Sequence, residues 1–405
     1  MAHLKSNGYD YQLLTMDLEA SEPSNGKRRA NGQQLGRIWR RPLPLRNIRE
    51  KSSRVNPWIT CVLTVICIFQ AVWICRTYAG SRRISNDGFD KLFPRTITVR
   101  SPSIWDDDRQ SFIHNATPVP IHSHNDERQR LPLFEALGSG CISVEADTHL
   151  VDGNLLVGHT SVGLRLSDNL VDMYLDPLLR MISNQNMHIG NGSLRGIYNH
   201  DPDQSLVLLI DHKSDGAATF DELYKQLQPL RDRGYLTYWN GTDRLMRPLT
   251  VVASGNAPFE SVLALNASHR DIFWDAHLGT LSTSDDDFTV EPPLYKYNIS
   301  NSYYASTSWA NVTLFAWSKS MQWSSPRSKD VAAPQIEQAR SRGLLPRYWD
   351  TPAGPPNMKE VIWKVLRGLN VYVICMDDMG VVRDRSAGWG WMGWSRTPRP
   401  YAQTF

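Results

Sequence analysis

The stretch of residues 118–159 constrains the fold most, because it places polar, reactive side chains directly after strand-like runs. Residues 119–122 are apolar and β-prone, as in a buried parallel strand. The polar residues that follow this run are His124, Asn125 and Asp126. Because the carboxyl ends of barrel strands carry the functional residues of such folds, this order predicts a strand that emerges at a functional site.

A second predicted strand, at residues 142–147, carries two acids. Its residues alternate between two faces, so Glu145 and Asp147 share one of them. A turn and a short strand at residues 155–157 then lead to His159. Two carboxylates on one strand face predict a cation site, and a histidine follows each of the flanking strands.

Strand-like and helix-like runs alternate over residues 117–385, which predicts an α/β fold of the (β/α)8 TIM-barrel type. The further strands are predicted at residues 205–210, 249–253, 271–274, 303–307, 344–349 and 371–375. The helices are predicted at residues 133–137, 171–182, 219–230, 331–342 and 358–366. Residues 276–302 are irregular and are expected to form a long loop over one end of the barrel.

A third acid, Asp211, follows the predicted strand at residues 205–210. Three carboxylates at strand ends repel one another unless a cation or a proton compensates them. Ligation by oxygen alone favours Mg²⁺ or Ca²⁺. The alternative is that one acid caps a helix or pairs with Lys213.

Histidines are suited to paired proton transfers by a general base and a general acid, because imidazole titrates near neutral pH. We predict that His124 and His159 perform these transfers, one as base and one as acid. His122 shares the strand face of His124 and is its main competitor.

Several motifs resemble the phospholipase C-like phosphodiesterase superfamily of TIM barrels and, within it, the fungal family named altered inheritance of mitochondria protein 6. They are His124-Asn125-Asp126, the segments at residues 132–137, 144–147, 155–159 and 174–178, and those at 347–352 and 376–380. The resemblance extends over about residues 118–380. The chain departs from the family at Glu127, where a tyrosine usually follows the His-Asn-Asp triplet.

This resemblance implies a phosphoric diester hydrolase or phosphodiester lyase that acts on a phospholipid or a glycerophosphodiester. It favours His124 over His122 and supports the metal ligands Glu145, Asp147 and Asp211. Lys213 matches the Asp-x-Lys of the sphingomyelinase D group and would hold a phosphoryl oxygen. Asn125 is a second candidate donor to the phosphate, and Trp349 either lines the pocket or packs in the barrel. Two other functions are weighed against this one: a catalytically silent binding or scaffold barrel, and a glycosidase that needs opposed carboxylates without the histidine pair.

The N-terminal region predicts a membrane anchor. Residues 1–55 form a basic, polar tail that is expected to be disordered, and residues 56–75 contain no charge and have the length of a transmembrane helix. Residues 76–116 are expected to form a stem, and residues 386–405 a C-terminal tail. The formal net charge of +3 is small and the basic excess lies in the tail, so we expect no nucleic-acid partner.

Flanking charge and glycosylation sequons predict a single-pass type II topology, with the barrel in the secretory lumen or outside the cell. All the sequons follow the predicted span, at Asn115, Asn191, Asn240, Asn266, Asn298 and Asn311. Beyond the span, Cys141 and Cys375 lie in apolar strands and are expected to be buried free thiols.

Overall fold

The computed structural model describes residues 56–81, 88–110, 112, 116–188, 193–283, 286–289, 293–312, 326–351 and 356–383. The predicted tails at residues 1–55 and 386–405 lie outside these residues, as do Asn115 and Asn191.

Eight parallel strands close into a barrel in the described part of the chain. The described residues form eleven strands in total, which are β1 (Val119–Ser123), β2 (Cys141–Val151), β3 (Asn154–Val157), β4 (Leu206–His212), β5 (Tyr238–Trp239), β6 (Arg244–Leu245), β7 (Leu249–Gly255), β8 (Ile272–His277), β9 (Ser302–Ser308), β10 (Leu345–Trp349) and β11 (Val373–Met376). The barrel order is β1-β2-β4-β7-β8-β9-β10-β11, and β11 pairs back with β1. Strand β3 adds to β2 in antiparallel direction, and β5 and β6 form a separate hairpin. The predicted barrel is therefore confirmed.

The described residues contain the α-helices α1 (Pro57–Ser81), α2 (Gly88–Leu92), α3 (Phe134–Gly138), α4 (Asp176–Asn186), α5 (Gly216–Gln226), α6 (Gln228–Asp232), α7 (Phe259–Ala264), α8 (Pro326–Ser341), α9 (Pro356–Gly368) and α10 (Met379–Arg383). The helices predicted in the barrel form with shifted bounds and correspond to α3, α4, α5 with α6, α8 and α9. A π-helix at Val171–Leu175 precedes α4. The helix predicted at residues 219–230 starts earlier, because the Asp215 side chain accepts a hydrogen bond from the Ala218 amide and caps α5. It also divides before Pro229, which lacks the amide hydrogen that a continuous helix needs.

The barrel interior is apolar near the amino ends of the strands and polar near their carboxyl ends. On β4, Val207 and Leu209 belong to the interior apolar cluster, while Leu208 and Ile210 belong to the layer between strands and helices. The same alternation places Asp211, two residues after Leu209, on the face that points into the barrel. The interior apolar cluster consists of Ile142, Val207, Leu209, Val252, Phe273, Tyr303, Tyr304, Leu345, Tyr372 and Val373. The carboxylates Glu145 and Asp211 consequently lie at the carboxyl end of the barrel strands, whereas Arg244 covers Phe273 and Tyr303 of the interior cluster.

Part of the segment predicted to form a stem, residues 76–116, packs against the barrel, and the predicted domain bounds stay a prediction. Phe93 and Phe112 are buried and pack edge-on against each other, and both rings contact Phe134 of α3. Arg130 donates a hydrogen bond to the Phe93 carbonyl oxygen, which adds a polar contact between the segment and the barrel. The segment shows no sustained periodicity because short helices contribute one or two apolar side chains each, rather than a continuous face.

The apolar run predicted to span a membrane at residues 56–75 lies in the helix α1. Within the residues that the structure describes, no helix combines the length and apolar character that a bilayer crossing requires.

The irregular segment at residues 276–302 begins with more order than the sequence predicts. Strand β8 continues to His277, and a 3₁₀-helix follows at Leu278–Thr283. Cys141 and Cys375 are buried free thiols, as predicted.

Gly140, which precedes β2, provides a test of this packing. Its φ is +84°, and a Cβ there would overlap the backbone carbonyl oxygen of Thr117. We expect Gly140→Ala to lower the free energy of unfolding by about 3 kcal/mol or more. The alanine must adopt an unfavourable positive φ, and the backbone at Thr117 must move to make room for its Cβ. Urea denaturation of the purified chain measures this loss.

Gly153→Ala is the matched control. Its φ is +77°, but a Cβ there would have no atom within 4 Å. Gly153→Ala should therefore lower the free energy of unfolding only by the cost of holding alanine at a positive φ, about 1 kcal/mol. Equal losses in the two variants would contradict the close approach at Gly140.

Candidate active site

A cavity of about 1000 Å³ opens at the carboxyl ends of the barrel strands. The predicted site residues that line it are His124, Asn125, Glu145, His159, Asp211, Lys213 and Trp349. Asp147 is fully buried next to this lining and contacts His159 and Lys213. The structure thus brings all eight predicted residues to one end of the barrel.

Glu145, Asp147 and Asp211 form a cluster of carboxylates. One oxygen from each lies within 4.8 Å of the others. The parallel register of β2 and β4 sets Asp147 directly beside Asp211, and the alternation of β2 places Glu145 on the same face. A donor set made only of carboxylate oxygens fits a hard divalent cation.

Glu145 lies deepest in this cluster and is held in its charged form. Burial by itself raises the pKa of a carboxyl group, but nearby His124 and Arg347 outweigh it and lower the pKa of Glu145 well below its usual range. Arg347 Nη2 lies 2.9 Å from Oε2 of Glu145, and His122 Nε2 lies 2.8 Å from the same oxygen. Glu145 is therefore an ionised carboxylate with a fixed orientation.

Lys213 adds a positive charge to the cluster. Its ammonium lies 2.6 Å from Asp211 Oδ2 and 3.2 Å from Asp147 Oδ1. Burial lowers the pKa of Lys213, but the two aspartates outweigh this effect and raise it, so the side chain stays charged. For Asp211, burial raises the pKa and Lys213 only partly opposes the shift. Arg347 and Lys213 together contact four carboxylates, those of Glu145, Asp147, Asp211 and Asp275. This group of side chains therefore keeps an excess of negative charge.

His122 is fully buried and has both ring nitrogens engaged. Nδ1 lies 2.7 Å from Ser143 Oγ, and Nε2 lies 2.8 Å from Glu145 Oε2. Burial and the charge of Arg347 lower the pKa of His122 to about 3. This imidazole is neutral at ordinary pH and orients Glu145, so its placement favours His124 as the proton-transfer group.

His124 lines the cavity beside a carboxylate that the sequence analysis did not assign to the site. Its Nδ1 lies 2.8 Å from Oδ1 of Asp377, which follows β11. Burial lowers the pKa of His124, but Glu145 and Asp377 outweigh it and the pKa is raised. Because Asp377 engages Nδ1, Nε2 is the nitrogen left to exchange a proton.

His159 is arranged in the same way. Its Nδ1 lies 2.6 Å from Oδ2 of Asp147, and its side chain is 41% exposed at the cavity. Strand β3 and the loop after it bring this histidine back over the end of β2. Each candidate proton-transfer histidine is therefore held by a carboxylate through Nδ1.

The three residues of the His-Asn-Asp triplet make different contacts. Asn125 has a φ of 47°, which asparagine tolerates, and its Nδ2 lies 3.4 Å from Asp377 Oδ1, beside His124. Asp126 is buried and accepts hydrogen bonds from the Ser123 hydroxyl and the Tyr174 hydroxyl, which tie down the loop after β1. The predicted contact of Asn125 with phosphate stays a prediction, as does the contact of Lys213 with a phosphoryl oxygen.

Three polar residues of the site were missed in the sequence. Arg347 lies inside β10, Asp275 inside β8, and Asp377 after β11. Arg347 Nη1 lies 3.3 Å from Asp275 Oδ2, and Ser254 donates a hydrogen bond of 2.8 Å to the same oxygen. The signal available in the sequence was a charged residue at the end of an apolar strand, the same signal that identified Asp211. Trp349, two residues after Arg347, is 39% exposed and lines the cavity.

Glu127, the residue that departs from the family pattern, lies close to this site. Its side chain is 5% exposed, and one carboxylate oxygen lies within 4.8 Å of ligand atoms of Asp147 and His159. Burial and the Asp147 carboxylate raise the pKa of Glu127 to about 9. The surrounding protein therefore compensates the charge of this carboxylate poorly.

Comparison with known proteins gives matches over the barrel. Residues 110–275 match the family model described as AIM6-like phosphodiesterase domain. The chain is 31% identical over 278 residues to the altered inheritance of mitochondria protein 6 homolog of Arthroderma benhamiae, covering 66% of this chain and 83% of the relative. It is 33% identical over 272 residues to altered inheritance of mitochondria protein 6 of Eremothecium gossypii, covering 65% of this chain and 68% of the relative.

Among solved structures, the chain is similar to a glycerophosphoryl diester phosphodiesterase from Parabacteroides distasonis ATCC 8503. The identity is 13% and the TM-score 0.36, with 69% of this chain and 91% of the other covered. A similarity this low adds nothing to what the strand topology establishes.

The contact between His124 and Asp377 generates a prediction about the imidazole pKa. In Asp377→Asn the amide keeps the shape of the side chain but loses the negative charge that raises the pKa of His124. We therefore expect the pKa of His124 to fall, as measured by NMR titration of its ring protons. The raised pKa also means that the pair stabilises the fold below the pKa of free imidazole, about 6.5, and that this contribution is lost as pH rises through the folded-state pKa.

Asp378→Asn is the control, since Asp378 accepts a hydrogen bond from the Val381 amide at the start of α10. An unchanged His124 titration in Asp377→Asn, or an equal change in the control, would show that Asp377 does not set this pKa.

Proposed function

Because the chain belongs to the altered inheritance of mitochondria protein 6 family, we propose that it is a phosphoric diester hydrolase or phosphodiester lyase. The substrate class we propose is a phospholipid or a glycerophosphodiester. The observation that carries the proposal is the pair of cavity histidines, His124 and His159, each held through Nδ1 by a carboxylate. Glu145, Asp211 and Lys213 line the same cavity, and a cation on the carboxylates together with the Lys213 ammonium would suit a phosphate.

The roles of the residues follow from their contacts. Glu145, Asp147 and Asp211 would hold a divalent cation, Mg²⁺ or Ca²⁺, which when bound neutralises charge on the phosphate. Lys213 would bind a phosphoryl oxygen in place of its present contacts with the aspartates. Trp349 would pack against the organic part of the substrate at the cavity wall.

The two histidines would perform complementary proton transfers. The raised pKa of His124 favours it as the acid that gives a proton to the leaving alkoxide. His159 would then take the proton from the attacking oxygen, with Asp147 orienting its ring. If the attacking oxygen is a neighbouring hydroxyl of the substrate, the first product is a cyclic phosphate; if it is water, the product is an open phosphomonoester.

One contact favours a second candidate function, a catalytically silent barrel that binds a lipid head group. Lys213 already compensates two of the three clustered carboxylates. In that case the carboxylates form ion pairs and need no cation. The cation experiment described below separates the two functions.

For localisation, we propose that the barrel lies in the secretory lumen or outside the cell. The confinement of the sequons to one side of the apolar run supports this. The sequon asparagines within the described residues, Asn240, Asn266, Asn298 and Asn311, are all at least partly exposed.

The histidines provide the first test of the proposed function. His124→Ala and His159→Ala should each lower phosphodiester turnover by about 10² to 10⁴, because each removes one proton-transfer group. Turnover is measured on a panel of lysophospholipids and glycerophosphodiesters, and the thermal midpoint is recorded for each variant. His122→Ala, the control in β1, should act on stability instead, by about 1–3 kcal/mol, because it removes one hydrogen-bond partner from each of Glu145 and Ser143. Full turnover in all three variants would refute the two-histidine mechanism.

Cation binding provides the second test and needs no substrate. Mg²⁺ or Ca²⁺ at 100 times its Kd should stabilise the folded chain by about 2.7 kcal/mol, which calorimetry detects as a higher Tm. Asp211→Asn should remove most of this increase because it removes one ligand. Asp221→Asn, which removes an exposed acid of α5, is the control. If neither cation raises Tm and chelation leaves turnover unchanged, the carboxylates serve as partners of Lys213.

A further inference from the structure

Glu127 is buried without a hydrogen-bond partner. It lies in the 3₁₀ turn at Asp126–Arg128 directly after β1, and its side chain is 5% exposed. Neither carboxylate oxygen has a hydrogen-bond partner. The nearest positive charge is Arg128, whose Nε lies 4.0 Å from Oε1 on a side chain that is 58% exposed. Such a buried carboxylate is costly unless something else compensates it.

The carboxylate of Glu127 points towards two further ligand groups. Oxygens of Glu127 and Asp147 and a ring nitrogen of His159 lie within 4.8 Å of one another. Asp147 is fully buried, whereas the His159 side chain is 41% exposed and lines the cavity. The three donors thus surround a point that an ion can reach from the cavity.

This donor set differs in chemistry from the set formed by Glu145, Asp147 and Asp211. The latter offers only oxygen, which Mg²⁺ and Ca²⁺ prefer. The set around Glu127 adds an imidazole nitrogen, which suits Zn²⁺ and other transition metals, and three protein ligands with an open position are common for Zn²⁺.

We propose that Glu127, Asp147 and His159 form a second cation site, specific for a transition metal of the Zn²⁺ type, whose occupation inhibits the barrel. The inhibitory part rests on the proposed function, because it requires His159 to transfer protons. A cation bound to either ring nitrogen prevents the imidazole from alternating between its neutral and charged forms. The same ion would replace the 2.6 Å contact between His159 Nδ1 and Asp147 Oδ2.

The two sites share Asp147, so their occupation is coupled. Oδ1 of Asp147 lies 3.2 Å from Lys213, while Oδ2 faces His159. A second cation on this carboxylate would weaken its attraction for the first, so we expect Zn²⁺ to lower the affinity for Mg²⁺.

The binding experiment measures Zn²⁺ stoichiometry of the purified full-length chain by equilibrium dialysis, with X-ray absorption at the zinc edge to identify nitrogen ligands. Glu127→Gln keeps the shape of the side chain and should bind one Zn²⁺ fewer than the parent. His159→Gln changes an exposed ligand that is not needed for packing and should lose the same ion together with its nitrogen signal. Asp152→Asn is the control, because Asp152 is an exposed acid at a φ of 48°, which asparagine also adopts.

Loss of one Zn²⁺ in both variants, with none lost in the control, would support the second site. Equal stoichiometry in the parent and Glu127→Gln would overturn it and leave Glu127 as a buried protonated acid. Zn²⁺ should also inhibit Mg²⁺-supported turnover of the parent, and Glu127→Gln should weaken that inhibition about tenfold or more. If no phosphodiester is turned over but the stoichiometry differs as expected, the proposed function fails while the site stands.

Discussion

The ion pair between Arg347 and Glu145 is the interaction on which the rest of the site depends. Both side chains are 4% exposed, and they meet inside the barrel from β10 and β2. A buried pair of this kind contributes little net stability, but loss of one partner costs about 3–5 kcal/mol because the other charge remains buried. Arg347 also contacts Asp275 and Ser306, so it joins four strands through one guanidinium group. Its planar fork allows this arrangement, which a lysine cannot reproduce.

The fixed charge of Glu145 then organises the groups above it. His122 donates a hydrogen bond to the ionised Glu145 without becoming charged, whereas the same carboxylate and Asp377 raise the pKa of His124. His122, in β1, and His124, directly after β1, thus have pKa values shifted in opposite directions. The difference is depth: His122 lies below the level where water reaches, and His124 lies at the cavity wall. The proposed proton-transfer group and its structural neighbour are therefore only two residues apart.

The His-Asn-Asp motif around His124 is partly structural. Asp126 is raised in pKa to about 6 by burial and anchors the loop through Ser123 and Tyr174, at a distance from the cavity lining. Tyr174 belongs to another of the segments that resemble the family, so two motifs distant in sequence meet in one hydrogen bond. Glu127, one residue further, instead turns towards Asp147 and His159. Asp126 therefore stabilises the loop after β1, whereas its neighbour Glu127 faces Asp147 and His159.

The sequence by itself determined the strands, the barrel and the end of the barrel at which polar groups gather. Periodicity and strand-end chemistry are local properties, and they were sufficient to identify Glu145, Asp147 and Asp211 as neighbours. Only the tertiary structure decided which groups pair: Asp377 with His124, Arg347 with Glu145 and Asp275, and the described stem residues with Phe134. These contacts join residues tens to hundreds of positions apart, so no pattern within a short stretch of sequence predicts them. The pKa of each group depends in turn on those contacts and on depth in the barrel. The sequence therefore carries the identity of the reactive groups, while their charge states arise from closure of the barrel, which brings its strand ends together around one cavity.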